Sequence, residues 1–113
     1  MRELPGDHPS TTIFATDDPG HGGACHKYKI VCDDISCVWI AFQNGAIHEH
    51  GVNGCHNEDL LTIVADRLRA FQAGPFPCFE NEKALTAVEE ALIWLKQRTM
   101  DRQDRGVEGM SVA

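Results

Sequence analysis

Apolar positions recur at two different periods along the chain, and the change of period divides it. From His26 to Cys32 apolar and polar residues alternate around Tyr28 and Ile30, Cys37 to Gln43 is rich in Val, Trp, Ile and Phe, and Ala46 to His50 follows the pair Asn44-Gly45. Period two with β-branched and aromatic content predicts strands. Asn-Gly predicts a tight hairpin because both residues tolerate positive φ, so Trp39 to Gln43 is expected to pair antiparallel with Ala46 to His50, beside the strand from His26. After the loop Gly51 to His56 the period becomes helical: Leu60, Val64, Leu68 and Phe71 share a stripe from which Thr62, Asp66 and Arg69 point away. Asn57 is placed to cap this helix, with Glu58 and Asp59 at its positive dipole end, and Gly74-Pro75 stops it after about Gln72. A second helix is predicted from near Pro77 to about Asp104, ending at Gly106, with Leu85, Val88, Leu92 and Leu95 as its core stripe.

These elements define an α+β fold, a small antiparallel sheet of about three strands over residues 25–56 followed by a long antiparallel helical hairpin over 57–105. Residues 1–24, with Pro5, Pro9, Pro19 and Gly22-Gly23, read as an irregular N-terminal arm, and 106–113 as a C-terminal tail. At 113 residues the whole is expected to make one compact domain.

The second helix carries more than its core stripe. Ala84, Ala87, Ala91 and Trp94 form a neighbouring row that continues into Arg98, Arg102 and Arg105. One hairpin partner and a small sheet can hardly cover both rows, so a second copy of the chain is expected on the alanine row, the alternative being cover by the sheet or the arm. The arginines stand four and then three residues apart, which puts three guanidinium forks on one face, an arrangement suited to phosphate or carboxylate oxygens. Basic residues in a last helical turn are also favoured by the dipole alone.

Two residues near the hairpin turn extend this choice. Asn81 falls on the line of Leu85, Val88 and Leu92, where its amide either braces the helix start or meets a ligand. Phe71 is either a core residue or a ring on which a base stacks. The predicted helix is about 40 Å long at 1.5 Å per residue, so one ligand reaches both this end and the arginines only where antiparallel subunits bring the ends together.

Charge and cysteine content narrow the function classes. With 17 acidic against 10 basic residues and a net charge of −7, general nucleic-acid binding is excluded, whereas a small anion in a local pocket is not. No apolar run approaches the roughly 20 residues needed to span a bilayer, and the acidic, proline-bearing start reads as neither signal nor anchor, so a cytosolic protein without membrane contact is expected. Five cysteines, Cys25, Cys32, Cys37, Cys55 and Cys78, form an odd set without C-x-x-C spacing, which suits reduced thiols. A metal reading can be assembled from Cys25 and His26, His48 and His50 on one strand face, and Cys55 and His56. Closed-site spacing is missing, so no metal and no cofactor are expected, and nothing resembles a catalytic centre. The pair Glu89-Glu90 is most simply a solvated helix face.

The run from Gly51 to Met110, with GGACHKY upstream, resembles the phage hairpin family that contains the Thoeris anti-defence sponges and shares its hairpin with anti-CBASS sponges. The resemblance spans about Gly22 to Gly109, and the blocks FQNGAI, GVNG, FQAGPF and RTxDRxxRGVEG carry it in combination. It implies a homo-oligomer, a dimer at least and up to a hexamer, that is not an enzyme and sequesters cyclic nucleotide immune signals in the cytoplasm of the infected bacterium. Glycocyclic ADP-ribose isomers and, for some members, cyclic trinucleotides are the implied ligands. At matching positions the implied ligand residues are Phe71, Asn81, Arg98 and Arg102, with Arg105 an adjacent candidate. Phe79 and Met100 depart from the family pattern, where basic, polar or charged residues are usual, which leaves the preferred signal open. Two other classes stay in view: a metal-dependent regulator or enzyme built on the Cys and His residues, and a direct protein inhibitor of a host factor.

Overall fold

A computed structural model describes residues 1–33, 35–107 and 110; the remainder of the tail, including Glu108 and Gly109 of the RTxDRxxRGVEG block, lies outside the described residues. The chain gathers into two compact units, Met1–Cys55 and a helical unit that begins at His56.

The first unit is a four-stranded antiparallel sheet in the order β1 (Arg2–Leu4), β2 (Thr12–Ala15), β3 (Lys27–Val31), β4 (Cys37–Ala41). Two of these strands come from the segment expected to be an irregular arm. Pro5, Gly6 and Pro9 lie between β1 and β2, and the run Thr12-Ile13-Phe14-Ala15 has the β-branched and aromatic content that a pleated surface favours. Register places Phe14 opposite Lys29 and Lys29 opposite Trp39, and the Lys29 ammonium stands 5.3 Å from the Phe14 ring centre and 5.5 Å from that of Trp39. Ala15, Cys25, His26 and Ala46 are buried. Tyr28 meets Phe42 edge to face at 5.7 Å.

The predicted Asn44-Gly45 hairpin is absent, and Ala46 to His50 is not a strand. Gly45 takes φ of 86°, but no described residue other than glycine has positive φ, so Asn44 does not adopt the first position of a type I′ turn. The edge expected for that strand is filled by Cys55 instead: its N–H donates to the Ala41 carbonyl at 2.9 Å and its carbonyl accepts from Gln43 N–H at 2.8 Å. Gly54 makes this approach feasible, since a Cβ there would collide with the Phe42 backbone. Asn53 holds the loop by donating from Nδ2 to the Asn44 carbonyl and accepting the Asn44 N–H, both at 2.8 Å. The displaced residues form a single turn of helix, α1 (Ile47–His50), so His48 and His50 do not share a strand face.

The second unit is a hairpin of α2 (Asn57–Ala73) and α3 (Phe79–Asp104). The cap of α2 is His56 rather than Asn57: the Asp59 carboxylate accepts the His56 backbone N–H at 2.7 Å. Among the described residues of this unit Ala65 is the buried apolar one, and no large side chain among the described residues is fully buried.

Candidate ligand-binding site

The turn between the helices is fixed by one side chain. Gln72 donates from Nε2 to the Cys78 carbonyl and accepts the Cys78 N–H through Oε1, each at 3.0 Å. This satisfies both backbone groups of the residue that caps α3, and the Cys78 thiol in turn accepts the Asn81 N–H at 3.4 Å. Phe71 and Asn81 thereby sit on either side of a pinned turn. Phe71 is 50% exposed, with the Arg67 guanidinium 5.3 Å from its ring centre, so its ring is not a core residue of this chain. Asn81 is half-buried, and its carboxamide makes no hydrogen bond among the described residues. Phe76 and Phe79 are exposed at the same turn, Phe79 with the Lys83 ammonium 5.2 Å from its ring centre.

At the other end of α3, Trp94, Gln97, Arg98, Asp101, Arg102 and Arg105 line a groove of about 310 Å³. Their spacing of three or four residues puts all six on one helix face. Arg102 is held by the helix terminus: Nη2 donates to the Val107 carbonyl at 3.0 Å, and Val107 N–H donates to the Arg102 carbonyl at 2.9 Å. Gly106 N–H bonds the Gln103 carbonyl at 3.0 Å, and Gly106 has φ of 70°, which completes a Schellman ending. Gln97 donates to Asp101 Oδ1 at 3.1 Å. The arginine face predicted from spacing is thus a concave surface that also carries an indole and a carboxylate.

Within one chain the two ends stay apart. Asn81 and Arg98 are 17 positions apart on one helix, about 25 Å at 1.5 Å per residue. Arg98, Arg102 and Arg105 are brought together; Phe71 and Asn81 are together at the opposite end. Gln72, Gln97 and Asp101 were not anticipated, although Gln97 and Asp101 share the spacing of Trp94 and Arg98. Among the described residues no group of three His, Cys, Asp or Glu side chains is placed to hold a metal ion. The buried His26 ring is hydrogen-bonded at Nε2 to the His21 carbonyl, 2.9 Å away.

The family model described as the Acb2/Tad1 hairpin domain matches residues 33–100, more than half of the chain, and the chain belongs to that family. Phe71, Asn81 and Arg98 fall inside the match; Arg102 and Arg105 lie just beyond it. The chain is also similar to Thoeris anti-defense 1 of Bacillus phage SBSphiJ7, with 46% identity over 90 residues that cover 80% of this chain and 63% of that protein. It therefore spans a little under two thirds of the length of that curated relative.

Proposed function

We propose that the protein is a phage anti-defence protein that captures a cyclic nucleotide immune signal and holds it uncleaved, acting in the cytoplasm of the infected bacterium against Thoeris. Glycocyclic ADP-ribose is the favoured ligand class and cyclic trinucleotides of CBASS the second. The observation that carries this reading is the three-arginine groove on α3, formed by a chain whose net charge is −7. Concentrating fixed guanidinium forks on one face favours phosphate oxygens locally while the protein as a whole repels polyanions. Phe71 supplies an exposed ring for a base and Asn81 an amide that can both donate and accept at a base edge.

A ligand spanning both ends requires two chains, since each chain separates them by about 25 Å. The alanine row supports such an assembly: Ala84 and Ala87 are exposed, Ala91 half-buried and Trp94 66% exposed. Small residues permit close helix approach, and a second antiparallel copy on this row sets the arginines of one chain near the turn of the other, a dimer at least. The test is recovery of the ligand. Protein loaded with glycocyclic ADP-ribose and then heat-denatured releases it unchanged by chromatography; a converted product would make the protein an enzyme, and failure to load would favour direct inhibition of a host protein.

A further inference from the structure

Asp101 stands where two simple rules disfavour it. It lies in the last turns of α3, where the negative end of the helix dipole opposes a carboxylate, and it lines a groove whose arginines favour anionic ligands, which it repels. Arg98 stands three residues before it and Arg105 four after, yet among the described residues Asp101 forms no ion pair. Its side-chain bond is to a neutral amide: Gln97 Nε2 donates to Oδ1 at 3.1 Å, and among the described residues Oδ2 makes no hydrogen bond. Local choices that oppose the helix and the apparent chemistry of a groove at once are expected where a residue serves binding.

We infer that Asp101 reads a hydroxyl. Its carboxylate, braced by Gln97, accepts a hydrogen bond from a ribose hydroxyl of the bound nucleotide while the guanidiniums take the phosphates. In a ribose phosphate the neutral donors nearest the phosphates are sugar hydroxyls, and a carboxylate is a strong acceptor for them. The groove would then select a sugar phosphate with free hydroxyls over a bare polyphosphate of the same charge. This inference rests on the groove being the nucleotide site.

The test compares wild type, Asp101→Asn and Arg98→Ala by calorimetry against glycocyclic ADP-ribose and against inorganic pyrophosphate, which carries adjacent phosphates and no sugar. Asparagine keeps an oxygen for Gln97 and removes the charge, so the fold should be retained, checked by an unchanged melting curve. The expected result is that Asp101→Asn binds glycocyclic ADP-ribose about tenfold more weakly or worse, while pyrophosphate binds no more weakly than to wild type. If Asp101→Asn binds glycocyclic ADP-ribose as well as or better than wild type while Arg98→Ala binds it poorly, the groove stands and the hydroxyl role falls. Equal weakening of both ligands by Asp101→Asn would also overturn it, as a merely structural effect. Unchanged binding by Arg98→Ala would remove the groove and this inference together.

Discussion

Arg102 and Val107 are bonded to each other twice, the guanidinium to the Val107 carbonyl at 3.0 Å and the Val107 N–H to the Arg102 carbonyl at 2.9 Å. The second bond belongs to the helix ending and the first to the groove, so the ending of α3 also orients one of its cationic walls. The left-handed Gly106, with φ of 70°, makes the reversal possible.

Gly106→Ala is therefore expected to act on both stability and binding. A side chain in this conformation costs about 1 to 2 kcal/mol, and loss of the reversal releases Arg102 from its anchor. Thermal unfolding should show the stability loss, and calorimetry a several-fold weaker affinity for glycocyclic ADP-ribose. An affinity equal to that of wild type would separate the ending from the site.

Gln72 makes a second local prediction. Its amide satisfies both backbone groups of Cys78 at 3.0 Å each, and Gln72→Ala should cost about 1 to 2 kcal/mol through the two lost bonds. Gln72→Glu retains the acceptor and loses the donor, so denaturant unfolding should place it between wild type and alanine.

Much of this was legible in the sequence and some was not, for physical reasons. Helical periodicity, Gly74-Pro75 and Gly106 located the hairpin because those signals act within a few residues. The arginine face followed from spacing alone. The sheet was harder: β1 and β2 were obscured by Pro5, Gly6 and Pro9 between them, which mark a connection rather than disorder. Asn44-Gly45 misled because a nonlocal clasp from Asn53 and the approach of Cys55 decided the local conformation. Gln72 is silent in the sequence, since glutamine in a helix carries no positional signal until its turn partner is known. Groove residues Gln97 and Asp101 were in plain spacing with the arginines, but their types do not by themselves suggest an anion site.

Acid sensitivity should trace in part to Asp17. Desolvation raises its carboxyl, but backbone N–H donors from His26 and Lys27 outweigh this and hold it below the ordinary 3.8. A depressed carboxyl contributes stability that is fully present above its unfolded value and is lost as pH falls through the lower folded value. The first unit should therefore lose this contribution only below about pH 3.8, and Asp17→Asn should flatten the acid limb of the stability profile followed by tryptophan fluorescence or circular dichroism. An identical acid limb in the variant would assign the transition to other groups.

The assembly makes its own prediction. Light scattering of the wild type should give a dimer or larger at micromolar concentration, and Ala91→Glu, which places an unpaired carboxylate on the alanine row, should give a smaller species. A monomeric wild type unaffected by the change would remove the basis for a site shared between chains.

In the proposed site the arginines of α3 hold the phosphates, and calorimetry of glycocyclic ADP-ribose against arginine variants tests this most directly. Arg98→Ala should weaken binding by about 2 kcal/mol or more, roughly 30-fold. Arg98→Lys should restore only part of it, since lysine keeps the charge and loses the fork. Phe71→Ala should lose about 1 to 3 kcal/mol where its ring stacks on a base. Loss of measurable binding in an Arg98→Ala, Arg102→Ala double variant that still assembles is the result this account predicts; wild-type affinity in that double variant would contradict it.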